Sequence, residues 1–126
     1  MILVIGGAYQ GKADFVKRRF SLSEDDFLRA DRYTERLSTE KRAIYGLEEW
    51  VYGRVSAGKD TELDIRGELC GIKNKIIICN DITQGLVPMD KTDRAWREAV
   101  GRCITFLAAN ADEVYRVFCG IENRIK

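Results

Sequence analysis

The 126-residue chain contains no histidine, one proline and four cysteines that form no CxxC pair. Without histidine, a zinc site would need all four sulfur atoms to converge, because structural zinc takes four ligands that are mostly cysteine and histidine. The wide spacing of the cysteines favours buried free thiols in a reducing compartment, which predicts a cytoplasmic protein. The residues concerned are Cys70, Cys79, Cys103 and Cys119.

Long apolar runs and an excess of one charge are also missing. No run approaches the roughly 20 apolar residues that span a bilayer, so no membrane span is predicted. The apolar run at residues 2–5 has no basic segment before it and leads into two glycines, which favours a core strand over a signal sequence. Lys and Arg total 21 against 20 Asp and Glu, giving a formal net charge of +1. This balance provides no bulk field to attract nucleic acid or a membrane surface.

Apolar patterning predicts strands that alternate with helices. Short, nearly continuous apolar runs predict strands at residues 2–5, 76–79 and 114–118. Amphipathic periodicity predicts helices at residues 12–20, 43–57, 61–69 and 91–110. Residues 21–42 are expected to form a solvated surface segment, and residues 123–126 a short tail. The alternation indicates an α/β fold over residues 1–126, a single domain with a parallel sheet and helices on both faces.

The strongest local pattern is a glycine-rich run that fits G-x-x-x-x-G-K between a predicted strand and a predicted helix. Its residues are Gly6, Gly7, Ala8, Tyr9, Gln10, Gly11 and Lys12. Glycines let backbone N–H groups approach an anion, and the helix N-terminus adds the positive end of its dipole. The run therefore predicts a P-loop NTPase-like domain that binds ATP or GTP, with the lysine at the β and γ phosphates. The alternative is a glycine-rich turn of another α/β fold.

The position after the lysine is occupied by Ala13, where the usual motif has Ser or Thr to coordinate Mg²⁺. Because alanine cannot bind a metal, a cation would be held by phosphates, waters and a carboxylate elsewhere. Asp81 is the candidate, since it follows a predicted strand at the edge where open parallel sheets bind ligands. The alternative role for Asp81 is to cap the turn. Lys12 and Asp81 are accordingly the predicted catalytic residues.

Other conspicuous side chains have plainer interpretations. Glu48 and Glu49 fall on the polar side of a predicted helix, which favours solvated carboxylates over ligands. Trp50 and Trp96 fit the apolar stripes of their helices, which favours core packing over base stacking. Tyr9 either lies over the nucleotide or is exposed without a role.

The run from Asn80 to Pro88, Asn-Asp-Ile-Thr-Gln-Gly-Leu-Val-Pro, resembles the N-E-V-G-x-G-I-V-P motif of the adenosylcobinamide kinase / adenosylcobinamide-phosphate guanylyltransferase family. The likeness continues at Arg94, Arg97, Gly101 and Arg102, at residues 107–109 and 111–115, and at Gly120, Ile121, Ile125 and Lys126. The opening residues and the glycine-rich run also look like that family, whereas residues 21–69 align poorly.

This resemblance implies a P-loop parallel sheet and a homo-oligomer such as the trimer often formed in the family. It implies phosphoryl transfer from ATP or GTP to adenosylcobinamide, a corrinoid substrate, in cobalamin biosynthesis. In the family's second step GMP is attached through a histidine. Guanylyl transfer is therefore not expected in a chain without histidine. The resemblance also implies that Arg97 and Arg102 contact a phosphate or a subunit interface, and that Asp81 replaces a glutamate of the motif.

The preferred hypothesis is thus an adenosylcobinamide kinase-like transferase. One alternative is a catalytically degenerate nucleotide-binding protein with a structural or regulatory role, which Ala13, the missing histidine and the short middle segment favour. A further alternative is an unrelated small-molecule kinase that kept the scaffold and changed its acceptor.

Overall fold

The computed structural model describes residues 1–83 and 89–126, and within them six strands form one sheet flanked by four helices. The strands are β1 (Ile2–Gly6), β2 (Phe27–Arg29), β3 (Ala43–Tyr45), β4 (Ile76–Asn80), β5 (Glu113–Phe118) and β6 (Ile121–Arg124). The helices are α1 (Lys12–Phe20), α2 (Leu47–Ser56), α3 (Thr61–Ile72) and α4 (Lys91–Asn110). The part of the family-like motif from Gln84 to Pro88 lies outside the described residues.

The sheet has the strand order β2-β3-β4-β1-β5-β6. All neighbouring pairs from β2 to β5 are parallel, and only β6 runs antiparallel to its neighbour β5. Parallel pairing brings the carboxyl ends of β1, β3 and β4 to one edge of the sheet. The expected α/β, P-loop-like architecture is confirmed, with an antiparallel edge strand added to the parallel sheet.

Alternate residues of the central strands pack into two separate apolar clusters, one on each face. Leu3 and Ile77 pack with residues of α2, α3 and α4. Val4 and Ile78 pack with Phe15 and Val16 of α1. Because successive strand side chains point to opposite faces, a nearly continuous apolar strand is the pattern that a sheet covered on both sides requires. The prediction of helices on both faces is confirmed.

The predicted helix at residues 43–57 is wrong in its first part, since Ala43–Tyr45 is a strand and α2 begins at Leu47. Gly46 separates the two with a left-handed φ of +90°, and a Cβ there would lie 2.6 Å from the Ala30 carbonyl oxygen. This turn needs glycine for both conformation and space. A three-residue apolar strand just before a helix is too short to show a periodicity, so the sequence pattern does not separate it from the helix.

Two segments predicted to lie outside regular structure are also part of the sheet. Within residues 21–42, Phe27–Arg29 forms an edge strand and the Leu37 side chain is fully buried. The first two residues of the predicted tail, Asn123 and Arg124, belong to β6, which pairs with β5 and is exposed along its length. Three- and four-residue edge strands bury little apolar surface, so their sequences carry almost no pattern.

All four cysteines are free, but the prediction that they are buried is only half right. Cys79 and Cys103 are buried, whereas Cys70 and Cys119 are exposed.

In the described ranges no three His, Cys, Asp or Glu side chains are grouped so that they could hold a metal ion. Nor does any described helix combine the length and the apolar character needed to cross a membrane.

Two helical glycines give a matched test of this packing. A Cβ on Gly53 of α2 would lie 2.1 Å from the Arg32 carbonyl oxygen, whereas a Cβ on Gly67 of α3 would meet nothing within 4 Å. We expect Gly53→Ala to destabilise the fold by about 1–3 kcal/mol through overpacking. Gly67→Ala is expected to stabilise it by about 0.5–1 kcal/mol, because alanine is the better helix former. Urea unfolding of both variants measures the difference, and a stable Gly53→Ala protein would contradict the close approach.

Candidate phosphate-binding site

Three chain segments meet at the carboxyl edge of the sheet. The loop after β1, the first turn of α2 after β3, and the residues after β4 lie side by side because their strands are neighbours. The backbone N–H of Asp81 donates to the Gly6 carbonyl at 2.8 Å, and that of Gly46 donates to the Ile78 carbonyl at 3.3 Å. This is the edge at which parallel α/β sheets bind ligands.

The glycine-rich loop leaves β1 through Gly6 and Gly7 and ends at Gly11, which has a φ of +89° and precedes the first residue of α1. Tyr9 is also left-handed, with a φ of +59°. The loop surrounds a cavity of about 270 Å³. The lining residues are Ala8, Tyr9, Gln10, Gly11, Lys12, Ala13, Asp14, Tyr45 and Asn80. The structure therefore brings the loop residues 8–13 together around one small cavity.

The Lys12 side chain is folded into this loop. It is only 3% exposed, and its Nζ atom donates to the Gly7 carbonyl oxygen at 2.6 Å. Burial lowers the pKa of Lys12, while the nearby carboxylate of Glu48 acts in the opposite direction. An anionic phosphate oxygen would be a stronger partner for this ammonium group than a neutral carbonyl is. The Lys12 ammonium group is therefore in a position suitable for binding a phosphate oxygen.

The loop is fixed by the turn between β5 and β6. The Gln10 carbonyl accepts from Gly120 N at 2.8 Å, and the Gln10 side-chain oxygen accepts from Cys119 N at 2.6 Å. At the start of the loop, a Cβ on Gly6 would lie 2.4 Å from the carbonyl oxygen of Val117, in the strand that leads into the same turn. Nothing local in the sequence signals this support, because the partners lie at opposite ends of the chain.

Glu48 is the functional candidate that the sequence interpretation missed. It was predicted to be solvated, but it is 5% exposed, and its Oε2 atom accepts from the Asn80 backbone N–H at 3.0 Å. Trp96 donates its indole N–H to the Glu48 carbonyl at 2.7 Å. Burial raises the pKa of Glu48. Because α2 begins at Leu47, Glu48 lies in the first turn and faces the sheet edge, whereas Glu49 remains half-exposed.

Asn80 is one of the residues that line the small cavity beside the glycine-rich loop. Its Oδ1 atom is buried and has no hydrogen-bond partner among the residues that the structure describes. Nearly all buried polar atoms in proteins are paired, and an unpaired one costs about 1–3 kcal/mol. This atom is therefore a candidate contact for a bound group.

Asp81 faces a second and larger cavity. Its Oδ1 atom accepts from the backbone N–H of Thr83 at 3.0 Å and from the Thr83 hydroxyl at 2.5 Å, as expected of a turn-capping residue. The larger cavity has a volume of about 920 Å³ and is lined by Asp81, Arg97 and Arg102 along with residues of α3. Arg97 donates to the Thr83 carbonyl, and an Arg102 nitrogen lies 3.7 Å from the Glu62 carboxylate. The structure thus places Asp81, Arg97 and Arg102 around one cavity, next to the glycine-rich loop rather than within it.

The three aromatic residues Trp50, Trp96 and Tyr9 differ in how far their side chains are exposed. Trp50 is 1% exposed and belongs to the main apolar cluster, which agrees with a packing role. Trp96 is partly buried against the same cluster. The Tyr9 side chain is fully exposed beside the small cavity.

Two comparisons with known proteins identify relatives of this chain. Residues 55–125 match the family model described as "Cobinamide kinase / cobinamide phosphate guanyltransferase". The chain is also 33% identical over 81 residues to the "Bifunctional adenosylcobalamin biosynthesis protein CobU" of Salmonella typhimurium. That alignment covers 63% of this chain and 45% of the Salmonella protein, so the matched region spans about half of the relative's length.

Proposed function

The chain belongs to the cobinamide kinase / cobinamide phosphate guanyltransferase family, and from that premise we propose that it binds ATP or GTP and phosphorylates a cobinamide. The observation that carries the proposal is the buried Lys12 inside a glycine-rich loop that joins a central strand to a helix N-terminus. Successive loop N–H groups and the helix dipole favour an anion at such a position. We include in the proposal a single domain over residues 1–126 and a cytoplasmic homo-oligomer such as a trimer.

Phosphoryl transfer requires mainly positioning and charge neutralisation from the protein. Lys12 and the N–H groups of residues 6–13 would hold the β and γ phosphates. The acceptor hydroxyl oxygen then bonds to the γ phosphorus, the bond to the bridging oxygen breaks, and the nucleoside diphosphate leaves while the hydroxyl proton passes to solvent. A bound Mg²⁺ would neutralise charge on the phosphates. The sequence pattern predicts Asp81 as the carboxylate that holds its waters, but in the structure the Asp81 carboxylate accepts two hydrogen bonds from Thr83 and lines the larger cavity.

The larger cavity supports an acceptor site beside the nucleotide. Asp81 lines this cavity, and the residue before it, Asn80, lines the small cavity of the glycine-rich loop, so the two cavities are neighbours. Its volume of about 920 Å³ suits a bulky ligand such as a corrinoid. We propose that the acceptor occupies this cavity, and that Arg97 and Arg102 contact phosphate groups of the nucleotide or product. Because the chain has no histidine, the proposal is confined to the phosphoryl step.

The second candidate function is nucleotide binding without transfer, in a structural or regulatory role. Ala13 favours it, because the loop lacks the hydroxyl that normally coordinates the cation during transfer. The amides of the loop do not depend on that hydroxyl, so binding can outlast catalysis.

A titration followed by a product assay distinguishes the two. GTP and ATP are titrated calorimetrically with and without Mg²⁺, adenosylcobinamide is then added, and the products are identified by mass. We expect nucleotide binding and the appearance of adenosylcobinamide phosphate. Binding without product at any magnesium concentration would favour the second candidate. No binding of either nucleotide would contradict both.

A further inference from the structure

The amide of Asn80 occupies a position at which a cation ligand is expected. Gly6 and Asn80 lie opposite each other in the register of β1 and β4, so Asn80 ends the strand beside the phosphate loop. P-loop NTPases hold their Mg²⁺ with the loop Ser or Thr and with an aspartate on another strand. In this chain the first is Ala13, and Asn80 supplies a buried oxygen that makes no hydrogen bond with any described residue. An amide oxygen can accept from a metal-bound water, but it carries no charge.

Glu48 supplies the missing negative charge at the same place. Its carboxylate is fixed to the Asn80 backbone N–H at 3.0 Å, and its backbone is held by Trp96 of α4. The negative charge of Glu48 also raises the pKa of Lys12, against the effect of burial, and so favours the protonated lysine. A buried carboxylate is unfavourable unless a cation or several hydrogen bonds offset the loss of hydration. Burial raises the pKa of Glu48 accordingly, and a divalent cation nearby would favour the ionised form.

We propose that Glu48 and the side-chain oxygen of Asn80 together hold the coordinated waters of the nucleotide's divalent cation, in place of the hydroxyl that Ala13 lacks. This inference rests on the proposed nucleotide binding. It assigns the cation to the phosphate-loop side of the sheet edge rather than to Asp81. The Asp81 carboxylate instead accepts two hydrogen bonds from Thr83 and lines the larger cavity. Mg²⁺ suits such a site, because it keeps several waters and needs few protein ligands beside the phosphates.

The test measures how much Mg²⁺ strengthens GTP binding, as the ratio of the dissociation constants in EDTA and in MgCl₂. Glu48→Gln keeps a side-chain oxygen for the Asn80 N–H but removes the charge. We expect it to reduce the ratio by about 10- to 100-fold, the range found when residues that hold the ligands of a metal are removed. Glu49→Gln removes the neighbouring, half-exposed carboxylate and should leave the ratio as in the unaltered protein. Asp81→Asn should reduce it less than Glu48→Gln does.

A second readout does not depend on affinity. With Mn²⁺ in place of Mg²⁺, the electron paramagnetic resonance spectrum of the bound Mn²⁺–GTP complex should change in Glu48→Gln and remain unchanged in Glu49→Gln. A Glu48→Gln protein that is thermally destabilised but keeps the full magnesium ratio would overturn the proposal and leave Glu48 as a clamp between α2 and β4. A loss in Asp81→Asn equal to or larger than that in Glu48→Gln would also overturn it. Both results leave nucleotide binding intact, whereas failure of the unaltered protein to bind GTP removes the proposed function as well.

Discussion

Lys12→Ala is expected to weaken nucleotide binding by about two to three orders of magnitude while the chain stays folded. Removing one partner of a buried, hydrogen-bonded charge pair typically costs 2–5 kcal/mol, and about 1.4 kcal/mol corresponds to tenfold in affinity. The fold itself should tolerate the change. The ammonium group is buried, its burial lowers its pKa, and in the structure it donates to the neutral Gly7 carbonyl. Calorimetric titration with GTP and ATP measures the loss, and circular dichroism checks the fold.

The matched control is Lys17→Ala on the same helix. Lys17 lies one turn further along α1 and pairs with Glu24, so its removal makes the same change in net charge away from the loop. We expect its nucleotide affinity to remain close to that of the unaltered protein. Equal losses in the two variants would show that only the overall charge matters, and unchanged affinity in Lys12→Ala would contradict the phosphate-loop assignment.

Gly6→Ala is expected to destabilise the fold and to weaken nucleotide binding together. A Cβ on Gly6 would lie 2.4 Å from the Val117 carbonyl oxygen, a backbone atom that moves only if β5 moves. Overpacking of this kind costs about 1–3 kcal/mol, and occasionally more. Since the turn after β5 holds both Gln10 oxygens through Cys119 and Gly120, a displaced β5 would also distort the loop.

The neighbouring glycine of the same loop serves as the control. A Cβ on Gly7 would meet only the Gln10 Cγ atom, at an ordinary contact distance of 3.5 Å. Gly7→Ala should therefore change the urea midpoint and the GTP affinity less than Gly6→Ala does. If Gly7→Ala has the larger effect on stability, the close approach of β5 to Gly6 is wrong.

Errors in the sequence-based fold prediction fall on the short elements. The central strands and the long α4 are predicted correctly, because each strand is a nearly continuous apolar run and α4 repeats its apolar residues at helical spacing over 20 residues. β2, β3 and β6 have only three or four residues each. Their assignment depends on a neighbouring strand rather than on their own sequence, as the pairing of Ala43 with Ile76 shows.

The sequence by itself determined the position of the glycine-rich loop and the elements on either side of it. Strand, glycines, lysine and helix follow one another within the first 20 residues, so the motif and the elements on either side of it can be recognised from a local pattern. It also determined the family, through motifs that can be compared position by position.

Only the tertiary structure decided what surrounds that loop. Glu48 meets Asn80 across 32 residues of chain, and Gln10 meets Cys119 across 109. Contacts of such separation depend on strand order and on the residue at which a helix begins, and neither is encoded in local periodicity. The Glu48 carboxylate, which the helical pattern predicts to be solvated, is therefore buried beside the glycine-rich loop, because α2 begins at the carboxyl edge of the sheet.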